Sequence, residues 1–465
     1  MPALTHLPAV EIARLVAERQ ISCTEVVEAH LARIEALNKE LNAVTVVLDG
    51  PAQAEAAGLD ARIAAGEPLG PLTGVPFSVK ENIDVAGLPT TWGVPALADA
   101  VPPQDAPAVE RMRAAGAILV ARTNLPDMAL RAHTDSSLHG LTRNPWNLTR
   151  TAGGSSGGEA VALATGMSAM GLGTDLGGSL RNPATCCGVT SIRPTFGRVA
   201  QAGTFPSEDP LLYSQLMSVH GPLGRRVTDV RAALAVVSGA HPRDPWSVTV
   251  PIDAPAHPVR VALVTDPPGG STDPVVASAV RAAAGALDEA GYIIEEVNPP
   301  RYEEAATTWT RFVVTDVASA LPRIRAIMGP AGLSFLDAIV ARVPPLDAAG
   351  FSAVMSTRLS IARAWSLFFA DYPLVLSPTW TQLPFEIGAD ESPEGALAAL
   401  ELFRPVLPAN LMGLPSVCVP AALDTPTGLP IGVLLTGARY TEATCLDAAA
   451  VIEGKSPITT PIDPA

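Results

Sequence analysis

Charge, aromatic side chains and cysteine are all scarce in this sequence, and each scarcity excludes something. Charged residues make up 17% of 465 positions and aromatic residues 5%, against 48% hydrophobic residues. Disordered chains combine low hydrophobicity with high charge, so this chain must instead bury a large interior. Lysine and arginine number 31 against 46 acidic residues, the net charge is −15, and no basic cluster rises out of that background. Such a surface repels polyphosphates, so nucleic acid is not expected as a partner. The five cysteines (Cys23, Cys186, Cys187, Cys418 and Cys445) are too few and scattered for a disulfide framework, and none has C-x-x-C spacing. They read as buried free thiols in a reducing compartment, which predicts a cytoplasmic protein.

Metal-ligand spacing is also missing. Among the seven histidines, His133 and His139 are six apart and lack an H-E-x-x-H frame, so no metal is expected. Gly454-Lys455-Ser456 imitates the end of a phosphate-binding loop, but Ala449 stands where its first glycine is required. Gly171-Leu172-Gly173 lacks its third glycine at Leu176. No cofactor is expected. Long hydrophobic runs are absent too: the longest weakly polar stretch, 160–173, falls short of the roughly 20 residues that span a bilayer and reads as a core helix. Glu11, Arg14, Glu18 and Arg19 interrupt any signal segment, so no membrane partner is expected either.

What is present is an alternation of periods. Apolar positions at helical spacing cover 8–20 and 24–38, with Ser22 or Thr24 as N-cap and Glu25 in the first turn. Strands are expected at 42–48, 75–79 and 117–121, with helices at 52–65 and 107–115 between them. Further strands follow at 259–264, 293–297, 374–376, 416–419 and 431–435, and helices near 275–290, 352–370 and 441–453. This is an α/β pattern. Proline and glycine are dense at 242–258 and 266–271, a loop or hinge, yet the strand pattern resumes at once, so residues 1–465 are read as one domain. The stretch 300–370 has the fewest motif-like features and is expected to be a variable helical cover over a pocket.

The chemistry lies in two glycine-framed serine segments, Gly153-Gly-Ser-Ser-Gly-Gly158 and Gly173-Thr-Asp-Leu-Gly-Gly-Ser-Leu-Arg181. Glycine lets a substrate approach main-chain N–H groups, as an oxyanion hole requires, although two tight turns would look the same. A third segment, Pro71 to Asp84, places Lys80 at the end of an apolar strand. Buried beside two hydroxyls, such a lysine would lose its proton near neutral pH and could act as a base.

Together these segments resemble the amidase signature family, whose triad is a serine, a cis-serine and a lysine. Ser155 stands 75 residues after Lys80, and Ser179 stands 24 after Ser155, as in that family. Arg122–Ala129, Thr142–Asn147, Gly188–Thr195, Gly221-Pro-Leu and Asn410-Leu-Met-Gly-Leu-Pro415 are similar to family segments in the family's order, so the resemblance covers roughly residues 8–453. It implies one large mixed sheet surrounded by helices. It implies Ser179 as nucleophile, Ser155 as the bridging serine at a cis peptide, and Lys80 as base. It also implies oxyanion donation from the amides of Leu176, Gly177, Gly178 and Ser179, and a substrate contact from the Ala129 carbonyl. Asp175 and Arg181 are expected to brace the nucleophile loop, with Asn144 and Trp146 as loop anchors. The implied substrate is a small amide, anilide, ester or carbamate, apolar or aromatic, with water as second reactant; a homodimer is left open.

Three rivals are weighed, the first a non-catalytic binding protein, which would need the three segments to be intact by accident and would be indifferent to the loss of Ser179. Gly153-Gly-Ser155-Ser-Gly157 also satisfies the G-x-S-x-G elbow of α/β-hydrolases, but a polar segment precedes it instead of a strand, and no histidine follows His257. A glutaminase subunit of the glutaminyl-tRNA amidotransferase A type normally carries a glutamine-binding aspartate seven residues before the Asn of Asn-Leu-x-Gly-Leu-Pro, where this chain has Phe403. Phe403, Leu402, Met412 and the apolar stretch 351–370 are therefore expected to make the pocket less polar.

Overall fold

A computed structural model describes residues 3–206, 209–252 and 259–465. The end of the proline-rich stretch 242–258, from residue 253 on, lies outside the described residues. Local chemistry sets the first elements. Ser22 caps the helix Cys23–Leu41 by accepting the Glu25 amide, while the Glu25 side chain returns to the Ser22 amide, a complete capping box.

The strands in chain order are β1 (Val44–Val47), β2 (Pro76–Lys80), β3 (Ile118–Thr123), β4 (Asp135–Ser136), β5 (Gly140–Leu141), β6 (Met170–Asp175) and β7 (Thr190–Arg193). They continue with β8 (Val219–Gly224), β9 (Arg260–Leu263), β10 (Ile293–Glu296), β11 (Leu374–Pro378), β12 (Ser416–Asp424) and β13 (Leu429–Gly437). Apart from the β4–β5 ribbon they form one 11-stranded sheet in the order β1-β3-β2-β6-β8-β7-β12-β13-β11-β9-β10. The sheet is mixed: β3, β2 and β6 run parallel, as do β11, β9 and β10, while the neighbours between them are antiparallel. The expected α/β class with one large mixed sheet is what the chain forms. One continuous apolar cluster runs from Ala9 to Ile452 on both sides of it.

The stretch 160–173, expected as one core helix, divides. The helix Gly157–Ala164 ends early, and Met170 begins β6 at the centre of the sheet. Glycines at 171 and 173 hide that strand from propensity, yet Gly171 is needed because the buried Glu159 side chain occupies the place of its Cβ. The stretch 300–370 holds three helices, Tyr302–Arg325, Pro330–Arg342 and Ala348–Asp371. Among the described residues no helix is long and apolar enough to cross a membrane.

One ion pair ties two distant loops together. Arg131 grips Asp390 through Nε at 2.6 Å and a terminal nitrogen at 2.7 Å, with both side chains buried. Removing the carboxylate would leave the guanidinium in the interior with only weaker acidic neighbours, Asp135 and Glu391. Asp390→Ala should therefore cost about 3–5 kcal/mol of stability. Urea unfolding of the variant checks this, and a loss below about 1 kcal/mol would mean that water solvates the stranded arginine.

Candidate active site

Lys80 is the last residue of β2, and Asp175 the last of β6, its parallel neighbour in the sheet. Parallel strands open their carboxyl ends on the same edge, where loops can converge over a crevice. The Lys80 ammonium is buried there and lies 2.7 Å from Ser155 Oγ and 2.9 Å from Thr174 Oγ1, bonding both hydroxyls. Asn82 fixes the threonine from the other side at 3.0 Å.

Ser155 follows a cis Gly154–Ser155 peptide and leads into the helix Gly157–Ala164. No strand precedes it, so the elbow geometry of α/β-hydrolases is absent at this serine. Gly154 is required for close approach: a Cβ there would lie 2.8 Å from the Arg131 carbonyl and the Ala132 backbone.

Ser179 sits on the loop between β6 and the helix Arg181–Cys187. Its carbonyl accepts the Ser156 amide at 3.3 Å, which ties the two serine segments together. Lys80 and Ser155 are fully enclosed, whereas Ser179 is 9% exposed and makes no side-chain hydrogen bond among the described residues. The structure thus joins Lys80 to Ser155 directly and brings Ser179 to them through its backbone.

Asp175 organises that loop. Its carboxylate accepts the amides of Gly178 at 3.0 Å and Leu180 at 3.1 Å, two nitrogens of Arg181 at 2.9 Å each, and Asn410 Nδ2 at 2.7 Å. Gly178, expected as an oxyanion donor, therefore gives its amide to Asp175. The amides of Leu176, Gly177 and Ser179 have no acceptor among the described residues. Arg181 continues to Asn410, Ser416 and the Val406 carbonyl, which brings the expected Asn410-Leu-Met-Gly-Leu-Pro segment to the site.

Burial dominates the electrostatics. Desolvation pulls the Lys80 amine down to about 7, against the pull of Asp175 and Glu159 in the opposite direction. Burial would raise the Asp175 carboxyl, but Arg181, Arg193 and Asn410 outweigh it and hold the acid well below the usual carboxylate range. Glu159, buried under hydrogen bonds from Ser78 and Thr123, moves up to about 7. Burial, then the positive charge of Lys80, lowers His220 to about 4.

A cavity of about 820 Å³ reaches this edge through Asn82, Thr174 and His220; its lining includes Trp92, Met128, Phe205 and Ile324 and does not include Ser179. That volume suits a small organic ligand. Leu402, Phe403 and Met412, expected at the pocket, are instead buried in the main core, and neither they nor residues 351–370 line the cavity. The apolar lining comes from other segments. Ala129 has φ of 58° beside Met128 at 52°, a left-handed pair at the end of the Asn124-Leu-Pro segment. Asn144 bonds the carbonyls of Thr151 and Cys186, and Trp146 that of Cys187, the anchoring roles expected of them.

Several residues of the site escaped the sequence. Thr174 stands inside one recognised motif and Glu159 directly after the other, and that proximity was the only signal for them. Trp309 donates from Nε1 to the Leu176 carbonyl at 3.1 Å, and nothing in its own helix announces this contact. Among the described residues no group of three His, Cys, Asp or Glu side chains could hold a metal ion.

Known proteins resemble this chain over nearly its whole length. The family model described as Amidase matches residues 25–446. The chain is 42% identical to an indoleacetamide hydrolase of Bradyrhizobium diazoefficiens over 96% of this chain and 86% of that protein. It is 31% identical to the A-subunit of a glutamyl-tRNA(Gln) amidotransferase from Thermosynechococcus vestitus, over 96% and 97% of the two chains. Among solved structures it is similar to a bacterial aryl acylamidase of the amidase signature enzymes, with TM-score 0.85 and 29% identity over 97% of each chain.

The depressed amine has a consequence for stability. An unfolded lysine keeps its proton to about 10.5, whereas folded Lys80 releases it near 7, so between these values the unfolded state binds more protons and stability rises with pH. Lys80→Met removes this dependence. It should stabilise the fold by on the order of 4 kcal/mol near pH 7, a gain that fades towards pH 10.5. Denaturant midpoints of both proteins at pH 7 and 10 measure the difference; parallel midpoints at the two pH values would show that Lys80 folds with its proton.

Proposed function

Because the chain belongs to the amidase family and is an amide-hydrolysing enzyme, we propose that Ser179 attacks the substrate carbonyl while Ser155 and Lys80 relay its proton. The observation that carries this reading is the enclosed amine at 2.7 Å from the Ser155 hydroxyl, held near neutrality by burial. Neutral Lys80 takes a proton through Ser155 from Ser179, and a tetrahedral intermediate forms with its oxyanion facing the free amides of the nucleophile loop. The proton then returns through Ser155 to the departing nitrogen, since an amide anion leaves poorly. The C–N bond breaks, an acyl-enzyme remains, and water repeats the sequence to release the acid. Asp175 and Arg181 keep the loop in shape.

The cavity and the relatives support one substrate class. A small primary amide with an aromatic or indolyl acyl group fits a cavity of about 820 Å³ in which Trp92, Met128, Phe205 and Ile324 offer apolar surface beside polar and charged side chains. Identity of 42% to an indoleacetamide hydrolase supports the same class. A glutaminase subunit is the second reading, favoured by the 31% identity to the amidotransferase chain. Phe403 counts against it, because a buried phenyl ring stands where that subunit's glutamine-binding aspartate is expected. Five buried free thiols support a cytoplasmic setting. No nucleic acid or membrane takes part in this reading, the substrate and water are its only required partners, and one 1–465 domain carries it with 300–370 as cover.

Ser179→Ala should remove the burst of acyl-enzyme seen with an activated p-nitroanilide, and a surviving burst would take Ser179 out of its role. In a panel of indole-3-acetamide, phenylacetamide, anilides, esters, carbamates and glutamine, the arylacetamides should show the highest kcat/KM; a preference for glutamine would favour the second reading. Since only deprotonated Lys80 can act, kcat/KM should fall about tenfold per pH unit below 7. Lys80→Ala should damage amides more than activated esters, whose leaving groups need less protonation, and equal losses would argue against the relay.

A further inference from the structure

Every trans peptide is planar, with its C=O and the following N–H pointing in opposite directions. A carbonyl held by the protein therefore aims the next amide. Along the nucleophile loop this applies to three successive planes. The Leu176 carbonyl accepts from Trp309 Nε1 at 3.1 Å, leaving the Gly177 amide directed away from the indole and without an acceptor. The Gly177 carbonyl accepts from Asn182 Nδ2 at 3.0 Å while the Gly178 amide binds Asp175, so that plane is occupied at both ends. The Gly178 carbonyl accepts the Asn182 amide at 2.6 Å, which leaves the Ser179 amide unpaired. Two donors one plane apart remain, those of Gly177 and Ser179.

The two planes after Gly177 are held by Asn182, which Trp380 Nε1 fixes in turn at 3.0 Å. The first plane has no such local support. Its carbonyl is held from the helix Tyr302–Arg325, more than a hundred residues away, by a tryptophan that is buried against the loop. The same indole packs directly against Gly177, since a Cβ built there would lie 2.8 Å from its Cζ2.

We propose that Trp309 is a positioning residue of the reaction: by binding the Leu176 carbonyl it aims the Gly177 amide at the developing oxyanion. This rests on the reading of Ser179 as nucleophile. The helix that carries Trp309 then contributes to the chemical step as well as covering it, and its insertion into the site is part of what makes the loop competent.

The test separates the aim of the amide from substrate binding. An arylacetamide serves as substrate, its trifluoromethyl ketone as a probe that adds to the serine and places an oxyanion in the hole, and the plain methyl ketone of the same outline as ground-state probe. Trp309→Phe removes the donor and keeps an aromatic ring; benzothienylalanine at position 309 keeps the indole outline with sulfur in place of N–H. Deleting an oxyanion donor outright costs 10²–10³-fold, so misaiming one should cost about tenfold. Both variants should lose about tenfold in kcat and in affinity for the trifluoromethyl ketone, with KM and methyl ketone affinity within about twofold of the parent. If the benzothienylalanine enzyme keeps kcat and trifluoromethyl ketone affinity within about twofold, or if methyl ketone affinity falls in parallel with them, the proposal is overturned. Absence of a fluorine NMR signal for the tetrahedral adduct in the unmodified enzyme would instead overturn the role of Ser179 itself.

Discussion

Enclosure of one amine at the end of β2 is the constraint around which the rest of the site is arranged. Removing Lys80 from water disfavours its ammonium, but two carboxyl groups close enough to act on it, Asp175 and Glu159, would restore the proton. The structure counters each differently. Asp175 keeps its charge, and Arg181, Arg193 and Asn410 absorb it. Glu159 is pushed up by burial, so its negative charge is weakened where it would matter. Both arrangements leave the amine near the point at which it can accept and return a proton in one cycle.

Asp175 connects this electrostatic balance to geometry. The carboxylate whose charge must be neutralised also holds the amides of Gly178 and Leu180, so the loop carrying Ser179 is built on the group that the amine must tolerate. Arg181 extends the same brace to Asn410 and Ser416, on segments more than two hundred residues further along. A truncation or substitution at Asp175 would therefore alter the base and the oxyanion loop together, and its effect could not be divided between them by single variants.

Motifs pointed to a candidate site more sharply than propensity pointed to the central strands. Lys80, Ser155 and Ser179 stood out because their three segments together resemble one family, whereas either glycine-framed serine segment alone could have been a tight turn. The outer strands followed their branched residues, and the Ser22 cap followed its Glu25 partner. The central strands β6 and β8 did not, because Met-Gly-Leu-Gly-Thr-Asp and Val-His-Gly-Pro-Leu-Gly put glycine and proline where a strand usually has neither. Those positions answer to tertiary contacts: Gly171 yields to Glu159, and Gly221 to the Ile192 carbonyl. Trp309 was out of reach for the same reason, since its partner is a carbonyl oxygen that every residue possesses. Phe403 misled by position, for a side chain aligned with a pocket residue was drawn into the core.

The cavity lining carries charge from Asp84, Asp244, Arg243 and Arg323, but neutral groups make its contact with the catalytic edge. Asn82 and Thr174 are neutral, His220 is lowered to about 4, and Lys80 loses its proton near 7, so that edge offers hydrogen bonds in place of a counter-ion. A neutral amide enters such a site more cheaply than an ionised amino acid would, because burying an unpaired charge is far costlier than burying a satisfied polar group. The carboxylate product meets the opposite condition at that edge, since the reaction creates a negative charge where Asn82 and Thr174 offer dipoles. The desolvation that makes Lys80 a base thus also withholds a full counter-ion from the carboxylate at the catalytic edge.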